Sequence, residues 1–373
     1  MIDLSFIIGN LNKEHGGAQQ LLFDICRNLP ESGYNKTVYY MFGKGTYQEQ
    51  FEEHGTTVID LCASSNYDPL AFSRLVQYLR SKDIDILHTN SPISGFWGRS
   101  AAIFGDVPNI VSVEHNVHTE YSKSTQVVNG LSLSLADAVV GVSQAVSNSY
   151  LSWEQKLFGD STRQVTIRNG VDLMAIRKTF DRSNNVLNEF TPFSPSDHII
   201  GTVGRLHEQK GYEYLIQAFP QIKEQVTDVK LLILGDGPKR ETLQALAKET
   251  GYSGDIHFTG YVPEVYPFLP NFDIAVFPSR WEGFGLTPVE SMAAERPVVG
   301  TNIPPFREVI GDSGVLVEPE SEIELARAIA SLLEDPERQR ELGRKGYERV
   351  LNKFSIERTV QEYMELYQDI ISK

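Results

Sequence analysis

Residues 199–215 read IIGTVGRLHEQKGYEYL, and this stretch has the pattern of the structural unit from which the fold is built. Its first part, 199–203, has the length and apolar character of a buried strand, and a loop bounded by Gly204 and Gly211 follows it. The residues after Gly211 have helical spacing. A strand, a loop and a helix in this order make one βα unit, which is the building block of a parallel sheet.

The same unit recurs along the chain, which predicts an α/β protein with doubly wound parallel sheets. Before residue 199 the predicted strands are 4–9, 37–42, 57–61, 84–89, 110–114, 138–142 and 164–168. After it they are 230–234, 256–259, 274–278, 297–301 and 315–317. Only helical pattern follows residue 334, and it ends with a helix at 355–371.

Chain length and a polar connection indicate two Rossmann-like domains. At roughly 150 residues per domain, 373 residues are enough for two. Residues 179–197 are rich in Asn, Ser, Pro and Asp and read as the connection. We predict an N-terminal domain over 1–172, with 355–373 packing back on it, and a C-terminal domain over 173–354. Ligands of two such domains are expected in a facing cleft, at the carboxyl ends of the strands.

The composition disfavours one class of binding partner, the nucleic acids, and indicates the cellular compartment in which the protein is expected. The formal net charge of -15 repels phosphate backbones, so nucleic acid is not expected as a partner. Cys26 and Cys62 lie among apolar residues, which is typical of buried free thiols in a reducing compartment. The first apolar run, 1–11, is too short for a membrane span of about 20 residues. We therefore expect a cytoplasmic protein.

Two loops carry groups that suit a phosphate. The loop His15-Gly16-Gly17-Ala18 opens the first helix, although a tight βα turn explains its glycines equally well. Gly204-Arg205 and Lys210 place two cations after the strand 199–203, where they suit a diphosphate, and solvated surface cations are the alternative. No G-x-G-x-x-G fingerprint accompanies either loop, which disfavours a dehydrogenase.

The segment FPSRWEGFGLTPVE, 277–290, is the densest in chemical groups. Its glycines free backbone amides, and Thr287-Pro288 predicts a helix with a cap and a proline at its first position, beside which an anion can bind. Glu290 is open to two interpretations, a ligand contact or a capping box with Thr287. Glu282 caps nothing obvious and is therefore a candidate site residue.

Metal binding has weak candidates. His115 and His118 are three residues apart, but zinc requires more ligands than this pair, so His115 is better interpreted as a polar or proton-handling group at a strand end. A satisfied loop histidine is the alternative. Asp83-Ile84-Asp85 precedes its strand, away from the expected cleft, and is interpreted as a polar strand entry.

These motifs together resemble glycosyltransferase family 4, whose members are retaining enzymes with the GT-B fold of two Rossmann-like domains. The resemblance covers nearly the whole chain. Its specific parts are the Gly16-Gly17 loop, RNGVD at 168–172, Gly204-Arg205 with Lys210-Gly211, LGDGP at 234–238, and the E-x7-E element from Glu282 to Glu290. Many relatives have an acidic residue where this chain has Gln19.

The resemblance implies a role for each matched position. Arg205 and Lys210 are similar to the pair that neutralises the leaving diphosphate, Glu290 to the acid that binds the ribose, and His115 to the histidine near the reacting centre. Glu282 is similar to a group that contacts the transferred sugar. The catalytic residues implied are His115, Arg205, Lys210 and Glu282. The donor-binding residues implied are Gly16, Gly17, Gly204, Arg205, Lys210, Tyr261, Val262, Glu282, Gly283, Phe284, Gly285, Leu286, Thr287 and Glu290.

The function expected from these residues is metal-independent transfer of a sugar from a nucleoside-diphosphate donor, because fixed cations take the place of a metal ion. No cofactor is expected. The resemblance to the family implies a UDP-sugar as the favoured donor, with GDP-mannose as the second choice, and a glycan or a lipid-linked saccharide as the acceptor. Arg74, Arg80 and Lys82 are interpreted as a solvated helix face, and the alternative is a mild membrane-facing patch that gives the N-terminal domain peripheral contact with the inner face of the membrane. The alternatives are an epimerase, a phosphorylase or a non-catalytic nucleotide-sugar binding protein.

Overall fold

The computed structural model describes residues 1–12, 16–158, 162–180, 183–194 and 196–372, so His15 and part of the predicted connection lie outside the described residues. The chain divides into two compact units. The N-terminal unit is Met1–Asn169 with the C-terminal segment from Ile356, and the second unit is Gly170–Ser355. The division therefore falls after Asn169, whereas the sequence places it after residue 172.

The N-terminal unit is a doubly wound α/β domain. Its strands are β1 (Ile2–Asn10), β2 (Tyr34–Phe42), β3 (Thr56–Asp60), β4 (Ile86–Asn90), β5 (Ile110–Glu114), β6 (Ala138–Gly141) and β7 (Arg163–Thr166). Its helices are α1 (Gly17–Asn28), α2 (Gln48–Glu53), α3 (Pro69–Arg80), α4 (Pro92–Gly105), α5 (Lys123–Leu133), α6 (Gln144–Ser147) and α7 (Ser152–Gln155). Within the described residues the strands form one parallel sheet in the order β3-β2-β1-β4-β5-β6-β7.

The second unit repeats the architecture. Its strands are β8 (His198–Val203), β9 (Val229–Leu234), β10 (Ile256–Gly260), β11 (Ile274–Phe277), β12 (Val298–Thr301) and β13 (Val315–Val317). Its helices are α8 (Leu173–Lys178), α9 (Ser183–Phe190), α10 (Tyr212–Gln225), α11 (Arg240–Glu249), α12 (Leu286–Ala293), α13 (Pro304–Val309), α14 (Glu322–Leu333) and α15 (Pro336–Lys353). The described strands form a parallel sheet in the order β10-β9-β8-β11-β12-β13.

The strand order determines where each sheet can bind a ligand. In the N-terminal unit the chain moves outward from β1 to β3 and then returns to the other side of β1 with β4. In the second unit it moves from β8 to β10 and returns beside β8 with β11. Loops that leave adjacent strands in opposite directions open a crevice at the carboxyl ends, so the switch points are β1/β4 and β8/β11.

Alternating side chains of the central strands cover both faces of the N-terminal sheet. Ile7 and Leu87 belong to the core beneath helices α3, α4 and α5. Phe6 and His88 point to the opposite face, where their rings contact one another with centroids 4.9 Å apart. Successive side chains of a strand point to opposite faces of the sheet, and both faces are covered here. Consecutive residues are therefore apolar, which is why buried parallel strands appear as continuous apolar runs in the sequence.

The C-terminal helix α16 (Ile356–Ile371) completes the N-terminal unit. It packs against α1, and Tyr367 Oη lies 2.6 Å from Nδ1 of the buried His88 on β4. Thr359 Oγ1 donates to the backbone oxygen of Arg168, also in this unit, at 2.8 Å. The apolar face of α16 is thus part of the core of a domain that begins some 350 residues earlier in the sequence.

We predict that Tyr367→Phe lowers the free energy of unfolding by about 1–3 kcal/mol, because Nδ1 of His88 is left buried without its partner. Tyr367→Ala removes the buried ring as well and should cost about 3–5 kcal/mol. Denaturant unfolding measures both. Tyr67→Phe is the matched control, since Tyr67 is 89% exposed and its hydroxyl removal should change nothing; equal effects at both positions would contradict the docking described for α16.

Candidate active site

The loops that follow β8 and β11 meet at the switch point of the second unit. Lys210, on the loop after β8, places its Nζ 2.6 Å from Oε1 of Glu282, on the loop after β11. The backbone amide of Arg280 donates to the backbone oxygen of Gln209 at 2.8 Å, which joins the two loops directly. The structure thus brings two predicted site residues into contact.

Glu282 is buried, with 7% of its surface exposed, and its carboxylate is fully engaged. Oε1 accepts from Lys210 and, at 3.0 Å, from Ser279 Oγ, while Oε2 accepts from Gln209 Nε2 at 3.2 Å. Ser279 is held in turn, because Thr301 Oγ1 donates to its backbone oxygen. A buried carboxylate is stable only with such partners, so Glu282 fixes the position of the Lys210 ammonium.

Gly211 permits the close approach of these loops. Its φ is 61°, in the left-handed region, and a Cβ at this position would lie 2.2 Å from the backbone oxygen of Pro278. Only glycine meets both conditions without strain. The residue directly after Lys210 is therefore glycine because the loop after β11 passes against it.

Arg205 lies at the carboxyl end of β8 but does not share the Lys210–Glu282 contact. Its side chain is exposed and forms no hydrogen bond or ion pair with any residue that the structure describes. The two predicted cations therefore have different surroundings. A carboxylate holds Lys210 in place, whereas the guanidinium donors of Arg205 are open to solvent.

The start of helix α12 differs from the prediction. The helix begins at Leu286 with Gly285 as its N-cap residue at a φ of 101°, and no side chain caps it. Thr287 is therefore inside the helix, and Pro288 occupies its third position, where a missing N–H breaks no helical hydrogen bond. The first amides of α12 are left to backbone or ligand acceptors, as an anion site requires.

No side chain caps α12, so the capping box that the sequence offers for Thr287 and Glu290 is not formed in this helix. Glu290 is half-buried on α12, and Tyr266 Oη donates to its Oε1 at 3.3 Å. The other predicted donor contacts have mixed exposure. Tyr261 is 41% exposed after β10, while Val262 and the Phe284 side chain are buried. A ligand could meet Phe284 only through its backbone.

In the N-terminal unit, Gly16 and Gly17 stand at the start of α1. Gly16 is the N-cap residue with a φ of 122°, and no side chain caps the helix. Gln19, in the first turn, is buried and its Nε2 donates to Asn10 Oδ1 at 3.1 Å. Gln19 thus ties the helix to the end of β1 through a neutral contact.

His115 follows β5, and Nε2 of its ring lies 3.1 Å from Asn90 Oδ1 at the end of β4. Burial lowers the pKa of His115 to about 4, although the nearby Glu114 carboxylate opposes this shift. The imidazole is neutral at physiological pH. If its Nε2 donates to Asn90, its Nδ1 is an acceptor, as a proton-handling group requires.

His118 belongs to a buried ionic chain instead of a metal pair with His115. Its Nε2 lies 3.2 Å from Glu114 Oε2, and its Nδ1 lies 3.1 Å from Glu154 Oε1. Arg99 Nη1 is 3.9 Å from Glu114 Oε1. All four side chains are fully buried. Burial disfavours the imidazolium, but the two carboxylates outweigh it and raise the pKa of His118 to about 9.

The remaining sequence candidates have structural roles. Asp85 Oδ2 accepts from the backbone amide of Asp3 at 2.8 Å, so the Asp-x-Asp element supports the entry to the sheet. Among the described residues no three or more His, Cys, Asp or Glu side chains converge as metal ligands.

The guanidinium groups of Arg74 and Arg80 donate to backbone oxygens of Leu61 and Phe104. Cys26 is buried as expected, whereas Cys62 is exposed.

Sequence reasoning did not single out several residues that shape the site. These are Asn90 beside His115, Gln209 and Ser279 around Glu282, and Tyr266 beside Glu290. Asn90 had a usable signal, since it ends a strand next to the switch point. The others are polar residues with no local pattern, and only the tertiary contact shows their use.

Comparison with known proteins agrees with this geometry. Residues 15–174 match the model of "Glycosyltransferase Family 4" and residues 186–349 that of "Glycosyl transferases group 1". The N-acetyl-alpha-D-glucosaminyl L-malate synthase of Bacillus anthracis is 28% identical over 82% of this chain and 80% of the relative. The capsular polysaccharide biosynthesis glycosyltransferase CapM of Staphylococcus aureus is 24% identical over 91% of both chains.

Among solved structures, Anabaena HepE in complex with UDP and glucose superposes with a TM-score of 0.84 and 20% identity, over 99% of this chain and 100% of that chain. Fold, switch-point loops and relatives together define an enzyme of the glycosyltransferase class with the GT-B fold. The two matched models and the relatives together identify the chain as a glycosyltransferase of the family 4 type.

The His118 chain predicts alkaline sensitivity. A pKa raised from 6.5 to about 9 in the folded state contributes stability that is complete below pH 6.5 and lost as the pH rises through 9. The loss should be roughly 3 kcal/mol. Denaturant unfolding across this range measures it. Glu154→Gln should move the decline to lower pH, and His118→Asn should flatten it; an identical slope in His118→Asn would contradict the prediction.

Proposed function

We propose that this enzyme transfers a sugar, with retention of anomeric configuration and without a divalent metal ion, from a nucleoside-diphosphate donor to a glycan or lipid-linked saccharide acceptor. A UDP-sugar is the first donor and GDP-mannose the second. The observation that carries the proposal is the Lys210 ammonium, fixed by the buried Glu282 at the β8/β11 switch point.

The leaving group sets the chemical requirement. Breaking the bond to the sugar places negative charge on the diphosphate, and preorganised positive charge lowers the barrier to this step. Lys210 gives one of its three donors to Glu282, so two remain to bind phosphate oxygens. Arg205, from the end of the same strand, adds a forked donor that can bind two phosphate oxygens at once.

Neighbouring groups fit the rest of a nucleotide sugar. The uncapped start of α12 presents amides and the positive end of a helix to an anion. Glu290, without a capping role, accepts from Tyr266 and is able to accept from ribose hydroxyls as well. Tyr261, exposed at the end of β10, offers its ring for the base. His115 keeps the role near the reacting centre that the resemblance implies.

The comparisons support the donor and acceptor classes. Anabaena HepE was solved with UDP and with UDP-glucose, and the CapM relative is named for capsular polysaccharide biosynthesis. Retention is supported by the resemblance to family 4. Metal independence is supported by the two cations, which supply the charge that a divalent ion provides in other transferases.

We expect Lys210→Ala and Arg205→Ala each to lower kcat by about 100-fold, because a preorganised electrostatic donor is lost. Release of nucleoside diphosphate from UDP-sugars and GDP-mannose measures turnover. Arg344→Ala, on an exposed cation of α15, is the control and should leave kcat unchanged. Full turnover in both site variants, with wild-type melting temperatures, would rule the mechanism out.

Activity should survive chelation, since side chains supply the positive charge. Turnover is measured after dialysis against EDTA and again after addition of magnesium or manganese. We expect equal rates in all three conditions. Complete loss with EDTA, restored by manganese, would show that the cations are insufficient. Product analysis in the same assay separates transfer from epimerisation, which needs no acceptor, and from phosphorolysis, which requires phosphate.

A further inference from the structure

A chain of polar groups inside the N-terminal unit leads from the C-terminal helix to His115. It begins at Tyr367 on α16, whose Oη lies 2.6 Å from Nδ1 of His88 on β4. It ends where Oδ1 of Asn90, at the end of the same strand, lies 3.1 Å from Nε2 of His115. Tyr367, His88 and Asn90 are each at most 5% exposed, so water does not compete for these contacts. We call the four residues the polar chain.

The middle of the polar chain is a contact between residues two apart on β4. His88 and Asn90 face the same side of the sheet, because successive side chains of a strand alternate. Burial lowers the pKa of His88 to about 3, a charge on His115 would lower it further, and a hydrogen bond between the ring and Asn90 opposes both effects. A hydrogen bond that favours the charged ring accepts from a ring N–H, so the Asn90 atom is Oδ1. Nδ2 of Asn90 is buried without a partner among the described residues.

The hydroxyl proton of Tyr367 sets the direction of the polar chain. A buried phenol proton without an acceptor is costly, and Nδ1 of His88 is the acceptor that lies within reach. With Nδ1 accepting, the neutral His88 ring carries its proton on Nε2 and donates it to Oδ1 of Asn90. The reverse direction would leave the phenol proton and Oδ1 unpaired, whereas this direction leaves Nδ2 of Asn90 unpaired.

The orientation of the Asn90 amide in turn fixes the proton of His115. Oδ1 faces Nε2 of His115, and because a carbonyl oxygen can only accept, Nε2 carries the proton of the neutral ring. Nδ1 is then left as an acceptor. Of the two neutral forms of imidazole, this is the form that can receive a proton or a hydrogen bond from a substrate hydroxyl at Nδ1. The tautomer of His115 therefore depends on a hydroxyl group of α16.

The backbone beside Asn90 is held in a strained conformation. Ser91 has a φ of 71° and a ψ of 161°, a combination that is common for glycine alone. Ser94 Oγ donates to the backbone oxygen of Asn90, and Ser91 Oγ lies 2.9 Å from Ser94 Oγ. Strain of this kind clusters at functional sites, where the surrounding structure fixes a side chain in place. The side chain fixed here is the Asn90 amide.

We propose that Tyr367, His88 and Asn90 are positioning residues that hold His115 in the tautomer with an unprotonated Nδ1. The consequence for turnover rests on the proposed function, in which His115 lies near the reacting centre; the tautomer itself does not. None of the three residues needs to contact the substrate. The C-terminal helix thus acts on the chemistry through His115, in addition to completing the core of the N-terminal unit.

Magnetic resonance of the enzyme with isotope-labelled histidine tests the proposal without an assay of turnover, because the nitrogen shifts of an imidazole report which nitrogen carries the proton. Tyr367→Phe removes the hydroxyl proton that sets the direction. The matched control is Tyr363→Phe on the same helix. Tyr363 is 1% exposed and its ring contacts that of His88 with centroids 5.3 Å apart, but its hydroxyl has no partner within the described part of the chain. His88→Gln and His115→Gln assign the signals.

We expect His115 to carry its proton on Nε2 in the wild type and in Tyr363→Phe, by about tenfold or more over Nδ1, because the other tautomer leaves one more buried group unpaired. In Tyr367→Phe the ratio should fall towards one, since both directions of the polar chain then leave equally many groups unpaired. Wild-type protonation on Nδ1, or the same ratio in Tyr367→Phe as in the wild type, would overturn the proposal.

The pH profile of turnover in Asn90→Asp is the second test. Among the described residues, the titratable groups that act on His115 are Glu114 of β5 and His88 of β4. A carboxylate at position 90 favours the imidazolium and raises the pKa of His115 from about 4. The acid limb of kcat should therefore move to higher pH by about one unit or more, with the donor KM unchanged above it.

A residue that only supports the fold would lower kcat at every pH without moving the acid limb. An unmoved limb in folded Asn90→Asp would therefore overturn the proposal. Melting temperatures show that each variant is folded. If the wild type releases no nucleoside diphosphate from any donor while His115 has the expected tautomer, the proposed function fails and the positioning of His115 stands.

Discussion

The ion pair between Lys210 and Glu282 is the contact on which the chemistry of the second unit depends. It joins loops that are 72 residues apart in sequence and adjacent only because β8 and β11 are neighbours in the sheet. Gly211 permits the approach, and Arg280 braces it by pairing with Glu208, Glu213 and Glu320. Removing either partner would leave a buried or half-buried charge unpaired. The positions of the two loops therefore depend on the ion pair.

In the proposed mechanism one group, the Glu282 carboxylate, positions the Lys210 side chain, and another, the Lys210 ammonium, interacts with the diphosphate. The buried carboxylate cannot itself attract a diphosphate, but it holds an ammonium at the strand end without consuming all of its donors. Arg205 has the opposite character, because it is exposed and free to adapt to a ligand. One fixed and one adaptable cation at the same strand end suit a leaving group whose charge grows during the reaction.

Sequence patterns predicted the architecture well because burial on both faces of a parallel sheet leaves a local signature. Every predicted strand overlaps a strand of the structure. His115 directly follows β5 as expected, and Lys210 and Glu282 lie further along the loops that follow β8 and β11. The start of α12 was misplaced because Thr287-Pro288 has the composition of a cap, while Gly285 provides the actual turn. The partners of Glu282 and the ionic chain around His118 were not predictable, since they join residues from separate elements with no shared local pattern.

The central claim is that Lys210 recognises the diphosphate and not the nucleoside. Calorimetric titration of UDP and of uridine into the wild type and Lys210→Met tests it most directly. Loss of a charge-assisted hydrogen bond should weaken UDP binding by at least about tenfold and leave uridine binding unchanged. Equal affinity of both proteins for UDP, with the variant folded, would contradict the account.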